Sequence, residues 1–206
     1  LNATQIGQIG AITTAAGKNL TIDTDVAGLL ALGSKATAGA GGAVSVTVTD
    51  TDANILANSA AIAAAGATPV LSGTSTVAEA VAALATNAAI TFTLSDTAAN
   101  LALAPTSVFV NAASVTATGV TTAVQATQIE TIITAANGTR AVNLAAGTVT
   151  YNVTDTASNV ANYRSALGLA DSVTTTGQST VAQTAATNLL TGSVYSTTDT
   201  AAALNT

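Results

Sequence analysis

The apolar positions of this chain change period along its length, from every second residue in short runs to every third or fourth in the stretches that follow. Runs rich in Val, Ile and Thr predict strands at Val44 to Thr49, Ile90 to Ser95 and Thr148 to Thr154, with shorter ones at Val108 to Val110, Val115 to Thr118 and Val173 to Thr176. Helical spacing follows in Val77, Val81 and Leu84; in Ile129, Ile132 and Ile133; in Val160, Tyr163 and Leu167; and in Val181, Ala185 and Leu189. The pairs Thr118-Gly119 and Thr176-Gly177 read as turns. Strand, turn and helix therefore recur in that order.

Two polar signals mark where the helices begin. One is Asp-Thr-x-x-Asn followed by an aliphatic residue, at Asp50, Thr51, Asn54 and Ile55; at Asp96, Thr97, Asn100 and Leu101; and at Asp155, Thr156, Asn159 and Val160, with a worn copy at Asp199, Thr200 and Leu204. The other is Thr-x-x-Glu/Gln, at Thr76 with Glu79, Thr122 with Gln125 and Thr180 with Gln183, the spacing at which two side chains cap a helix reciprocally. Asp50 to Thr76 is 26 residues, Asp96 to Thr122 is 26, and Asp155 to Thr180 is 25. The return steps are 20 and 19, except that Thr122 to Asp155 is 33, which places an insertion of about 13 residues there.

Alternating strands and helices imply a parallel sheet joined by right-handed crossovers. Near-periodic caps favour a solenoid-like stack of strand-turn-helix repeats over the alternative, a doubly wound α/β domain, which has no need of repeated cap chemistry. The repeat array is expected over residues 44–206 as one continuous domain. Residues 1–43 are expected to form a modified N-terminal repeat or cap, because Asp23 and Thr24 resemble the first signal while Asp25, Val26 and Ala27 are out of register with it. Ala3-Thr4-Gln5-Ile6 also resembles Ala126-Thr127-Gln128-Ile129, and the glycine-rich run between Lys35 and Ala43 reads as a flexible loop.

Composition fits a regular stack. Hydrophobic residues make up 49% but aromatics only 2%, so the apolar content is chiefly Ala and Val. Each CH₂ buried contributes about 0.8 kcal/mol, and small side chains compensate by letting backbones approach and pair. There is no Cys and no His, which removes disulfides, thiolate metal sites and the usual general bases. A net charge of −6 with only Lys18, Lys35, Arg140 and Arg164 as cations leaves no basic stripe for nucleic acid. Mean hydropathy is +0.53, yet the apolar runs are too short to span a membrane. The opening Leu1-Asn2-Ala3-Thr4 carries no charged-then-apolar leader and reads as a processed product or an excerpt.

No enzyme is expected, and no catalytic, cofactor-binding or metal-binding residue is assigned. Glu79 and Glu130 could pair as the carboxylates of a glycosidase, but each ends a Thr-x-x-Glu sequence and is read as a cap. The aspartates of the first signal are read as N-caps, and Asn54, Asn100 and Asn159 as an internal ladder bonded to the neighbouring turn. Asp23 with Asp25 and Asp50 with Asp52 leave calcium open as a weak alternative. Paired threonines, Thr47 with Thr49, Thr91 with Thr93, Thr116 with Thr118 and Thr148 with Thr150, would share one strand face as a flat array suited to ice or saccharide. Asn2, Asn19, Asn137 and Asn152 each begin an Asn-x-Thr triplet of the glycosylation type.

Val-Thr-Asp-Thr-Ala-Ser-Asn-Val at 153–160 and Leu-Ser-Asp-Thr-Ala-Ala-Asn-Leu at 94–101 resemble units of very large bacterial surface proteins, the S-layer proteins and secreted adhesins. The resemblance covers about residues 44–204 and implies export, a place at the cell surface, and a structural or adhesive task. Self-association, or contact with neighbouring modules of the same chain, is the expected partnership. An ice- or polysaccharide-binding adhesin module is the alternative.

Overall fold

The computed structural model describes residues 2–187 and 194–197. The protein is α/β, with helices alternating with mostly parallel strands. It divides into two compact units, Leu1–Thr93 and Leu94–Thr206.

The first unit runs α1 (Ala3–Gln8), β1 (Ile12–Thr13), β2 (Leu20–Thr24), α2 (Val26–Leu32), β3 (Ala36–Thr37), β4 (Val44–Asp50), α3 (Asp52–Ala57), α4 (Ser59–Ala64), β5 (Thr68–Ser75) and α5 (Val77–Thr86). β1 pairs with β3 in the register Ile12↔Ala36, and β2 with β4 in the register Leu20↔Val44, so one 24-residue offset covers both pairs. β4 then pairs with β5, Thr47 facing Thr68. Alternation places Ile22, Val46, Val48 and Leu71 in the core, where Leu29, Leu32, Ile55 and Ile62 meet them from the helices.

The glycine-rich run before Ala43 is not a free loop. It lies against residues 14–18, where Gly17 N donates to Ala40 O at 2.8 Å and Gly39 N to Thr14 Oγ1 at 2.7 Å. A Cβ on Gly39 would stand 2.3 Å from Thr14 O, and one on Gly42 2.3 Å from Lys18 O, so close backbone approach demands glycine there. In α5 the buried face is Ala80 and Ala83 rather than the predicted Val77, Val81 and Leu84, and Val81 is 43% exposed. The smaller side chains let the helix sit close to its sheet.

β6 (Thr91–Thr97) crosses the boundary between the units. The second continues with α6 (Ala98–Leu101), α7 (Thr106–Asn111), β7 (Ala112–Thr118), α8 (Ala123–Asn137), β8 (Val149–Thr150), β9 (Asn152–Thr156), α9 (Ala157–Tyr163), a 3₁₀ turn at Arg164–Ala166, β10 (Ser172–Ser179), α10 (Val181–Thr187) and β11 (Val194–Thr197). β7 pairs with β8, β9 with β10 and β10 with β11, all parallel. Its core holds Leu94, Leu101, Val108, Phe109, Val115, Ile129, Ile133, Val149, Tyr151, Val153, Val160 and Val173.

Two strand expectations are corrected here. Val108 to Val110 lies in α7, not in a strand. Pro105 supplies a fixed extended residue at the cap of that helix, and Val108 and Phe109 are buried side by side. The strand expected over Thr148 to Thr154 is broken at Tyr151, which is only 1% exposed, leaving β8 and β9 on either side. Leu189 and the worn copy at Asp199, Thr200 and Leu204 fall outside the described residues. Among the described residues no helix is long and apolar enough to cross a membrane.

Candidate functional site

The reciprocal caps form at all three Thr-x-x-Glu/Gln sequences. Thr76 Oγ1 accepts from Glu79 N at 3.3 Å while Glu79 Oε2 accepts from Thr76 N at 2.8 Å. The corresponding distances are 3.3 and 3.0 Å for Thr122 with Gln125, and 3.2 and 2.9 Å for Thr180 with Gln183. A fourth box, Asn2 with Gln5, opens α1 and was not anticipated. Three residues before each threonine cap stands a glycine with positive φ: Gly73, Gly119 and Gly177, at 84°, 77° and 75°. The residue between turn and cap, Ser75, Thr121 or Ser179, is buried. This Gly-x-Ser/Thr-Thr sequence is present three times in the chain and is the signal that sequence reasoning overlooked.

The Asp-Thr-x-x-Asn signal acts differently from expectation. Thr51, Thr97 and Thr156, not the aspartates, are the N-caps, accepting from Asn54 N, Asn100 N and Asn159 N. The aspartate stands one residue earlier and serves two helices. Asp50 Oδ1 accepts from Thr51 N and from Asn54 Nδ2, each at 2.7 Å, while Oδ2 accepts at 3.1 Å from Val26 N, the first residue of α2. Asp155 repeats this with Thr156 N at 2.7 Å, Asn159 Nδ2 at 2.8 Å and Ala123 N, the first residue of α8, at 3.0 Å. Each carboxylate thus satisfies an orphan amide at the positive end of the helix preceding it in sequence.

Burial pushes the Asp50 carboxyl up, but the bonds from Asn54, Thr51 N and Val26 N outweigh it and leave it below the ordinary 3.8. Asp155 is lowered in the same way, by Asn159, Thr156 N and Ala123 N against burial. The asparagines therefore do not form a ladder between turns. Asn54, Asn100 and Asn159 donate back to the aspartate four residues earlier and hold it in place. The bond to the preceding helix is made instead by the carboxylate at the strand end.

Glu130 is not a cap either. It lies in the middle of α8, where Oε1 accepts from Tyr151 OH at 2.6 Å and from Leu169 N at 3.0 Å. Burial pushes the Tyr151 phenol up, and the bond to Glu130 and the charges of Glu130 and Asp171 push it further, so it stays protonated. Glu79 remains in its capping box in the first unit. An open groove of about 300 Å³ beside Glu130 is lined by Thr131, Thr134, Ser165 and Ala166.

The insertion between Thr122 and Asp155 is absorbed by a 15-residue α8 and the loop after it. Asn137 closes that loop with both ends of its amide, donating to Leu144 O at 2.9 Å and accepting from Leu144 N at 2.8 Å. Arg140 donates to Phe109 O and Val110 O in the last turn of α7, where the dipole favours a cation, and burial lowers its pKa.

The paired threonines of β4, β6 and β7 share the outward strand face as expected, whereas Thr148 sits in the turn before β8 with its hydroxyl bonded to Ala145; none of them is buried. In the first unit Asp23 faces Thr47 and Thr47 faces Thr68; in the second, Thr116 faces Thr150 and Thr154 faces Thr174. The four Asn-x-Thr asparagines are all engaged: Asn2 caps α1, Asn19 Oδ1 accepts from Ala43 N, Asn137 closes its loop, and Asn152 Oδ1 accepts from Ser172 Oγ. Of the candidate calcium ligands, Asp25 is spent on Gly28 N and Asp50 on the clamp. Among the described residues no three of His, Cys, Asp and Glu are grouped so as to hold a metal ion.

No protein family, curated protein or solved structure matches the chain.

Proposed function

We propose that this chain is a structural repeat segment of an extracellular bacterial surface protein, built as a solenoid-like stack that associates with further copies into a layer or fibre or serves as a stalk. The observation that carries this reading is the carboxylate clamp, found in both units with corresponding partners, which ties a strand end to the helix that came before it. Strand order supports it too. β2, β4 and β5 are neighbours in sequence order, as are β9, β10 and β11, without the reversal of order that a doubly wound sheet uses to make its ligand crevice. Analytical ultracentrifugation across a concentration series tests it: concentration-dependent association is expected, and a protein that stays monomeric at high concentration would defeat it.

A second reading rests on the outward threonine rows. Hydroxyls at Thr47 and Thr68, or at Thr154 and Thr174, face one another across strands about 4.8 Å apart, a regular polar face of the kind that could meet ice or a surface polysaccharide. Ice-recrystallisation and glycan-array assays decide it, and two negative results would remove it.

A further inference from the structure

We infer that the groove beside Glu130 is a binding site for an organic cation, an alkylammonium or guanidinium group. Such a site requires no assembly and so stands apart from the structural reading above. The groove lies within the second unit, with α8 on one side and the 3₁₀ turn at Arg164–Ala166 on the other, and Glu130, Thr131, Thr134, Ser165 and Ala166 line its volume of about 300 Å³. Glu130 and Thr134 stand one turn apart on the same face of α8. The carboxylate is held in a fixed orientation, because Oε1 accepts from the buried Tyr151 hydroxyl at 2.6 Å and from Leu169 N at 3.0 Å, which fills both its lone pairs. Among the described residues no group donates to Oε2, and that oxygen is open to solvent.

The chemistry of the lining selects the ligand. Thr131 Oγ1 donates to Thr127 O at 2.7 Å and Thr134 Oγ1 to Glu130 O at 2.8 Å. Both hydroxyl protons are thus committed to the helix, and each oxygen meets a ligand only as an acceptor. Together with Oε2 they make an acceptor-rich wall that carries negative charge. Alkylammonium and guanidinium groups match it, since they bring a positive charge and several N–H donors with no acceptor. An anion would meet like charge, and a neutral polyol would bring an oxygen lone pair with every hydroxyl. Calcium takes roughly six to eight oxygens, whereas Glu130 is the one carboxylate lining this groove. The Ala166 methyl offers apolar surface to an alkyl stem, and the net charge of −6 draws cations to the molecule.

The test is an amide-detected NMR titration of the full chain at low salt with ethylguanidinium chloride, using urea as the neutral planar control. Saturable shifts at Thr131, Thr134, Ser165 and Leu169 are expected with the cation, half-complete at roughly 1 mM, and none with urea. Glu130→Gln keeps an acceptor for Tyr151 and Leu169 N but puts an amide donor in place of Oε2, and should weaken binding by at least about tenfold. Thr134→Val leaves the Glu130 side chain and its partners alone and should weaken binding by about threefold. Shifts that climb without saturating, as for an isolated exposed charge, or that urea reproduces, overturn the site. A Glu130→Gln protein that folds and binds like the natural one overturns it equally. The same cation can come from a free molecule or from a lysine or arginine of a second copy, and sedimentation velocity with and without ethylguanidinium separates the two. Oligomers that dissociate on its addition assign the groove to a neighbouring copy, and unchanged sedimentation beside saturable binding assigns it to a free molecule.

Discussion

Between the two units, the same clamp spans different lengths of chain. Asp50 reaches Val26 across 24 residues and Asp155 reaches Ala123 across 32, yet the bonds measure 3.1 and 3.0 Å. The extra chain in the second unit goes into α8 and the loop closed by Asn137, and none of it disturbs the strand end. The clamp therefore fixes where a strand end meets the start of the preceding helix, and the contour between is free to vary. What the insertion adds is its own set of anchors, Glu130 and Arg140; in the first unit Lys35 plays a part like Arg140's, donating to Ile6 O and Gly7 O in the last turn of α1.

The largest effect should come from Glu130. Glu130→Ala strips the acceptor from the buried Tyr151 hydroxyl and from Leu169 N, and should cost about 3 kcal/mol in urea denaturation. A loss below about 0.5 kcal/mol would mean that Tyr151 finds another partner. Asp50→Ala and Asp155→Ala come next, at about 1 to 2 kcal/mol each. Agreement between the two within about 0.5 kcal/mol would sharpen the comparison, and a much greater loss for Asp155 would show that the longer span leans harder on its clamp.

The same pair carries a pH signature. Both carboxyls have folded pKa values below the ordinary 3.8, so their contribution is full above about pH 4 and disappears as pH falls through the lower folded values. The stability gap between the natural protein and an Asp50→Ala/Asp155→Ala variant should therefore close on acidification toward pH 2. A gap that persists would make the effect one of packing and not of charge.

Arg140→Ala should cost about 1 kcal/mol through the C-terminal carbonyls of α7. Thermal unfolding reads it, and the first unit's clamp should be untouched. The smallest change is expected for Thr121→Val. Thr121 Oγ1 is buried without a partner, so the isosteric methyl should be neutral within about 0.5 kcal/mol or slightly stabilising.

Interactions within one helical turn could be read from the sequence, and those between elements far apart in the chain could not. Thr76 with Glu79 and Thr122 with Gln125 are three residues apart, and spacing alone dictates their bonds. Asp50 was recognised as belonging to a helix start, but its second partner, Val26, is set by strand register, which no local pattern specifies. The same blindness turned Asn54 into a ladder residue and Glu130 into a cap, since Thr127 instead donates back to Ala123 O within α8. Val108 to Val110 misled because three β-branched and aromatic residues have no period, while the nearby Pro105 carried the helix signal. The outward threonine face was legible because alternation survives in any paired strand.

Amide hydrogen exchange at Val26 and Ala123 addresses the clamp most directly, comparing the natural protein with Asp50→Ala and with Asp155→Ala. Protection should fall at Val26 in the first variant and at Ala123 in the second, each without the other. Unchanged protection at both amides would contradict the carboxylate as the tie between a strand end and the helix before it.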